Sequence, residues 1–465
     1  MSSATYRTLL RAPGAAAFFL VAAIGRVGIA MTSLGIVWLV HARTGSYATA
    51  GLVTGGFAVA EAAAGPQVAR LIDRFGQTRV LPPALLAHAA AIASLLALVA
   101  TGTPDWLMAA GGVLAGATIP QLGALSAARW AALLRDERAA ALPTAFALES
   151  LANGLAYLAG PALVSILGAS GFPAAGTVLA AAFVVAGGLC FAAQRRTAPP
   201  PVSGADERRR ASRSLLRPGF AVLVGVNLAL GGFFGATQIS VTAFAVEHGV
   251  AGAAAALFMV SSCASLLAGW LYGLRRWHAA PRVQLAVAAA GLAAGCVPLL
   301  VARSPVELGF GIALTGLTIP VLLVLCSVLA EMAVCRAVLT QAFTWLNSAS
   351  AAGSAGAAAV AGWTVDTLGA HGGFAVAATA AGVMAVLSVT GLRALRVPQR
   401  QATATQALRA ATRPQELFPH APTSALAAAS AEHSQQNEGQ GRDGEDSVDY
   451  HHRQRKVAFR RPLDD

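Results

Sequence analysis

Charge is scarce in this chain of 465 residues: 12% of them are Asp, Glu, Lys or Arg, against roughly 25% in an average soluble domain. Lysine is almost absent, with Lys456 alone, followed by Val457. A phosphate-binding loop needs G-x-x-x-x-G-K-[ST], so an ATP site of that type is excluded. The cysteines are Cys190, Cys263, Cys296, Cys326 and Cys335. They form no CxxC pair and lie in or beside apolar runs, so they read as small packing residues and not as a disulfide framework or a zinc site. No HExxH occurs, and no GxSxG with histidine support. His88 and His248 have no second ligand at metal spacing, and His451-His452 reads as a solvated pair in a polar tail. The chain is therefore expected to be no enzyme and to hold no metal or cofactor.

Apolar residues are abundant, at 56%, and the mean hydropathy is +0.62. This composition excludes a disordered chain, a nucleic-acid-binding domain and an ordinary cytosolic enzyme. A helix crossing a bilayer needs roughly 20 mostly apolar residues. Twelve such runs occur, near 14–40, 47–72, 80–101, 106–130, 142–168, 172–193, 218–246, 251–274, 282–302, 306–334, 339–366 and 371–396. The reading is an all-α, polytopic membrane protein with twelve transmembrane helices. The segment 194–217, with Pro199-Pro200-Pro201 and Arg208-Arg209-Arg210, is the one long connection and divides six runs from six. The expected domains are a bundle over 1–193, a linker over 194–217, a second bundle over 218–396 and a disordered polar tail over 397–465.

From Arg400 onward nine basic and nine acidic residues cancel, so the net charge of +12 sits in residues 1–399, with 24 basic against 12 acidic. With the N-terminus in the cytoplasm, Arg43 and Arg303 fall outside, Arg26 falls within a span, and the other basic residues lie on the cytoplasmic side. That bias fixes the orientation in a cell membrane, with both termini cytoplasmic. The N-terminal run is too long for a signal peptide and has no clear small-residue cleavage site, so it reads as the first span.

The two halves repeat. Gly116-Ala-Thr118-Ile119-Pro120-Gln-Leu122 returns as Gly316-Leu-Thr318-Ile319-Pro320-Val-Leu322, Ala145-Phe146 as Ala342-Phe343, and Arg79-Val80 as Arg282-Val283. The offsets of 200, 197 and 203 residues agree with two homologous six-helix bundles side by side. Such halves suit a transporter whose bundles rock about a site near the midplane. Pro120 and Pro320 each remove a helical hydrogen bond and are expected to bend spans four and ten.

Between spans two and three stands Ala69-Arg70-Leu71-Ile72-Asp73-Arg74-Phe75-Gly76-Gln77-Thr78-Arg79. It resembles the signature loop of the major facilitator superfamily, G-x-x-x-D-[RK]-x-G-[RK]-[RK]. Asp73, Arg74, Gly76 and Arg79 match; Ala69 replaces the leading glycine, and Gln77-Thr78 stand where basic residues are usual. The resemblance implies the two-bundle fold of that family and a role for Asp73, Arg74, Gly76 and Arg79 in closing a cytoplasmic gate. Gly160-Pro161 in span five is similar to a remnant of the family's antiporter motif, G-x-x-x-G-P-x-x-G-G, and implies another bend and an efflux-type member.

Ionisable groups at bilayer depth cost about 2.5–3.5 kcal/mol on insertion scales, so those present are expected to face a cavity or a partner. Arg26 lies ~18 Å into span one and Glu61 ~21 Å into span two, which runs the other way. The expectation is that the two are near each other, either as a static pair or as a pair in which Glu61 exchanges its proton partner. Glu149 lies ~10 Å into span five, where it either carries a coupling proton or pairs with Arg129. Gln121, Asn153, Asn227, Gln238 and Asn347 are polar candidates for the path. The functional reading is a proton-coupled exporter of a small apolar or amphipathic compound, expected to be a monomer with no nucleic-acid partner. Uptake or facilitated diffusion of a small metabolite is the alternative. A membrane scaffold or sensor acting through the tail is a third.

Overall fold

The computed structural model describes residues 6–395 apart from 202–204, 251–252 and 276; the polar tail over 397–465 lies outside the described residues. Sixteen α-helices follow one another among the described residues. The first half holds α1 (Tyr6–Leu10), α2 (Ala15–Thr44), α3 (Tyr47–Phe75), α4 (Gln77–Thr101), α5 (Asp105–Thr118), α6 (Leu122–Leu133), α7 (Leu142–Ala169) and α8 (Pro173–Ala193). The connection carries α9 (Ala205–Ser214). The second half holds α10 (Pro218–Glu247), α11 (Ala253–Leu274), α12 (Pro281–Gly295), α13 (Val297–Val301), α14 (Pro305–Ala333), α15 (Leu339–Leu368) and α16 (Ala370–Thr390). Taking α5 with α6 and α12 with α13 as single passes gives twelve membrane crossings in two six-helix bundles.

Turn chemistry sets the boundaries. Gly45 leaves α2 at φ 68°, and Ser46 then accepts the Thr49 N–H at 3.1 Å to start α3. Gly76, at φ 92°, separates α3 from α4 where a side chain would be strained. Ser304 accepts the Glu307 N–H at 3.3 Å, and Glu307 accepts the Arg303 N–H at 2.8 Å, closing a reciprocal cap on α14.

The bundles pack backbone to backbone where side chains are absent. A Cβ on Gly28 of α2 would lie 2.5 Å from the Ala180 carbonyl of α8. A Cβ on Gly231 of α10 would lie 1.8 Å from the Ser350 carbonyl of α15, and one on Gly353 of α15 would lie 1.9 Å from the Leu228 carbonyl. Close approach of this kind gains dispersion contacts where lipid supplies no hydrophobic drive.

Ten of the passes are long and apolar enough to cross a membrane by composition; α3 and α15 fall short. Those two pack against each other across the seam between the halves, and α7 packs against α11 and α14. The two least apolar passes therefore meet at the seam.

The repeated prolines behave differently. In the first half the chain leaves the helix at Ile119-Pro120-Gln121, with Ile119 at ψ 125°, the extended setting favoured before proline. In the second half α14 runs through Pro320 unbroken. Pro320 cannot donate to the Gly316 carbonyl, but the Ser265 hydroxyl of α11 donates to it at 2.8 Å. The freed carbonyl is thus satisfied by a neighbouring helix and the helix persists. The run 282–302 holds an interruption the sequence did not announce, with α12 ending before Cys296 and Pro298 opening α13.

Candidate functional site

Arginines mark one face. The ends of α3, α6, α8 and α11 and the starts of α2, α4, α10, α12 and α15 meet there, and of the described arginines at helix ends only Arg43 and Arg303 lie at the opposite face. Between the halves lies a cavity of about 90 Å³. Its polar lining is Arg26 of α2, Glu149, Ser150 and Asn153 of α7, Asn227 of α10, Cys326 and Ser327 of α14, and Asn347 of α15.

Arg26 and Glu149 form a buried ion pair through Nη2 and Oε2, with side chains 4% and 10% exposed. Arg26 Nη1 also donates to the Glu149 backbone carbonyl at 3.3 Å, and the Ser126 hydroxyl donates to Glu149 Oε1 at 2.6 Å. Arg26 Nε is buried without a hydrogen-bond partner. It points toward Gly123, whose Cβ would lie 3.6 Å from it. One cation and one anion therefore share a low-dielectric pocket whose other polar groups are neutral.

This differs from the sequence expectation, which placed Arg26 beside Glu61. Glu61 Oε1 instead accepts from Gln121 Nε2 at 2.9 Å, and Asn347 Nδ2 lies 3.5 Å from Gln121 Oε1. The interruption at Ile119-Pro120-Gln121 frees Gln121 to reach α3 on one side and α15 on the other. Glu149 does not pair with Arg129 either. Arg129 is fully buried and donates to Gln77 Oε1 at 2.8 Å, Thr197 Oγ1 at 2.9 Å, and the Phe191 and Gln194 carbonyls at 3.0 and 3.1 Å. Its guanidinium stacks 3.6 Å above the Phe191 ring. Depth along a helix located these charges, but rotation about the helix axis decides partners, and depth carries no information on rotation.

Near the arginine-rich face Asp73 reaches across the seam. Its Oδ2 accepts the Gln341 N–H at 2.9 Å, in the first turn of α15, where free N–H groups and the helix dipole favour an anion. Arg74 lies over the Phe75 ring at 4.9 Å, and both Arg74 and Arg79 are exposed. The Thr144 hydroxyl donates to the Gly273 carbonyl at 3.0 Å, and Phe146 meets Phe343 edge to face at 5.8 Å. Tyr6 of α1 donates to the Trp270 carbonyl at 3.0 Å, and burial pushes its phenol up to about 12, so it stays a neutral donor. These contacts join the halves between the cavity and the arginine-rich face. On the other side, Asn153 and Asn347 line the cavity and are exposed, and Gly51, Gly55, Gly356 and Gly362 meet nothing within 4 Å. Among the described residues, no hydrogen bond or ring contact joins the halves between the cavity and the opposite face.

Of the polar candidates read from sequence, Asn153, Asn227 and Asn347 reach the cavity; Gln121 bridges beside it, and Gln238 is exposed and away from it. Gly160 packs against α2, its Cβ position 3.0 Å from Ala30 Cβ, and Pro161 lies inside the continuous α7. His88 lies mid-way along α4 and faces the Ala115 carbonyl at 3.2 Å. Sequence reasoning missed Ser126, Ser150, Ser327, Tyr6 and the Phe146–Phe343 contact. For the last pair a signal existed: Ala145-Phe146 and Ala342-Phe343 are repeat equivalents, and equivalent residues near the axis relating two halves can meet. Gln77, counted as a departure from the loop motif, is the buried acceptor for Arg129.

A family model for the Major Facilitator Superfamily matches residues 18–334. Among solved structures, the human organic anion transporter MFSD10 (TETRAN) is similar at TM-score 0.62 and 15% identity, covering 82% of this chain and 98% of its own. A bacterial homologue of the iron transporter ferroportin, in an outward-facing state, is similar at TM-score 0.63 and 12% identity, covering 81% and 98%. The E. coli fucose:proton symporter FucP is similar at TM-score 0.58 and 16% identity, covering 80% and 98%. No curated protein gives a significant sequence match. Twelve passes in two halves around a polar cavity, together with a family match over most of the chain, make it a membrane transporter that belongs to the Major Facilitator Superfamily.

Proposed function

We propose that this chain is a proton-coupled secondary transporter that exports a small amphipathic compound by alternating access. The observation that carries the reading is the Arg26–Glu149 pair, buried at a cavity lined by both halves. A carboxylate whose counter-charge is fixed on another helix changes its pairing when it takes a proton, so proton and cargo occupancy are linked at one place. Glu61, bonded through Gln121 toward Asn347, is a second acid that senses the relation of the halves.

The arginine excess orients the closed face to the cytoplasm of a cell membrane, with both termini there, bundles over 1–193 and 218–396, and a monomer as the working unit. In this state Asp73 latches α3 to α15 while the opposite side is open for release of cargo. Gly76 gives the turn that presents Asp73, and Arg74 and Arg79 sit on the cytoplasmic surface. Pro120 opens α5 from α6 for Gln121; Gly160, Pro161 and Pro320 lie inside continuous helices, where α7 and α14 would flex during the transition.

Export is the favoured direction from the Gly160-Pro161 remnant. Uptake is the second reading, favoured by the packing of Gly160 on Ala30, which gives that glycine a structural reason to be there. The test uses purified protein in vesicles with an imposed pH gradient. Gradient-driven movement of an amphipathic compound, lost in Glu149→Gln and retained on deleting residues 400–465, is expected. Movement indifferent to the gradient and to both Glu149→Gln and Glu61→Gln would remove proton coupling. Loss of the cellular role on tail deletion, with transport intact, would favour a scaffold.

A further inference from the structure

The cavity charges restrict what can bind beside them. Arg26 is permanently charged, so within the cavity the pair can change its net charge only by protonation of Glu149. Among the described residues the other titratable group lining the cavity is Cys326 of α14; of the other helices packed on α7, α1, α6, α8 and α11 contribute none to its lining. Protonating Glu149 alone would leave a buried guanidinium without a counter-charge, which is strongly unfavourable. A cationic ligand would have to displace a tethered guanidinium and then sit beside it. A neutral ligand leaves the pair intact and has no link to the proton. An anion removes the penalty.

We propose that this cavity takes a small organic monoanion of the carboxylate class, bound on Arg26, with Glu149 protonated in exchange. The inference rests on reading the cavity as the transport site. Arg26 supplies a planar fork suited to a carboxylate, and its Nε, buried and without a partner, is a donor the Glu149 pairing leaves unused. The cavity of about 90 Å³ has room for a carboxylate head, since one water needs only about 10–15 Å³ of such space. The body of the ligand extends along Asn153 and Asn347 toward the open side. The step balances: one O–H bond forms at Glu149 Oε2, its proton coming from a hydronium ion that leaves as water, on the side from which the ligand enters, and one ion pair to Arg26 replaces another. Ser126 goes on donating to Glu149 Oε1. The loaded site keeps the net charge of the empty one, so proton and anion travel together. An organic acid concentrated inside then drives its own proton-linked export, which is symport, whatever the remnant in span five suggests.

The test compares benzoate, benzamide and benzylamine, one ring with an anionic, a neutral or a cationic head. Calorimetry on the purified full chain, in two buffers of different ionisation enthalpy, counts protons taken up per ligand. Benzoate is expected to bind with uptake of one proton, its Kd falling about tenfold per unit drop in pH. Glu149→Gln should bind benzoate with no proton uptake and a flat pH profile. Arg26→Gln should lose benzoate, and Arg26→Lys should retain it at reduced affinity. Where Arg26→Gln fails to fold, proton uptake and its loss in Glu149→Gln decide the matter. Benzoate binding without proton uptake, equal binding of benzamide or benzylamine, or no binding of acetate, benzoate or octanoate would each overturn the proposal. Maleimide labelling of Ser327→Cys in a cysteine-free background separates the two levels. Protection by benzamide or benzylamine and by no carboxylate removes the anion class but keeps the cavity as the site. Protection by none of the ligands, with no transport of any, removes both.

Discussion

Removing the charge of Glu149 should cost more than losing one hydrogen bond. Arg26 is 4% exposed and pairs with no other acid among the described residues, so Glu149→Gln strands a buried guanidinium. Breaking such a pair from one side costs about 3–5 kcal/mol. The glutamine keeps an oxygen for Ser126 and for one Arg26 N–H, which places the expected loss at the lower end, about 3 kcal/mol. Arg26→Gln, which leaves the carboxylate stranded, should cost a similar amount. The double variant removes both charges and should be milder than the sum by about 2–3 kcal/mol. Reversible unfolding in mixed micelles measures the cycle. Arg129→Gln is the control: its partners are Gln77, Thr197 and two backbone carbonyls, so with Glu149→Gln it should add to within about 0.5 kcal/mol. Additivity of the Arg26 and Glu149 substitutions, or coupling of Glu149 to Arg129 instead, would refute the pairing.

Ser265→Ala should destabilise the second half by about 1–3 kcal/mol, because the Gly316 carbonyl above Pro320 loses its donor; Ser265→Thr should restore it, and unfolding in mixed micelles reads both. Gly231→Ala forces a Cβ to 1.8 Å from the Ser350 carbonyl and should cost about 1–3 kcal/mol or more. Gly362→Ala meets nothing within 4 Å and should stay within about 0.5 kcal/mol of the parent. Asp73→Asn weakens the cap on α15 by about 1 kcal/mol. It should raise alkylation of a cysteine at Ala127 from the arginine-rich face about fivefold; an unchanged rate would deny Asp73 a latching role.

The twelve passes were readable because lipid demands long apolar runs, and that demand leaves its mark on composition. The two halves were readable from repeated residues such as Ile119-Pro120 and Ile319-Pro320. What those prolines do was not, since the outcome depends on whether another helix offers a donor, as Ser265 does to Gly316. The central charges were readable by depth: Arg26, Glu61 and Glu149 stood out in apolar surroundings. Their pairing was not, because Glu149 and Glu61 lie on different helices that both pack against α2, and only the rotation of each helix selects between them. Tyr6 carried no signal at all; its hydrogen bond to Trp270 spans 264 positions.

The central claim is that the cavity opens to one side at a time. Ser327→Cys, in a cysteine-free background, should label with a membrane-impermeant maleimide from either side in vesicles of opposite orientation. Joining Phe146→Cys to Phe343→Cys with a short crosslinker should then abolish labelling from the arginine-rich side and stop transport, while labelling from the opposite side persists. Transport that continues in the crosslinked protein, or labelling from the arginine-rich side that survives it, would contradict the account.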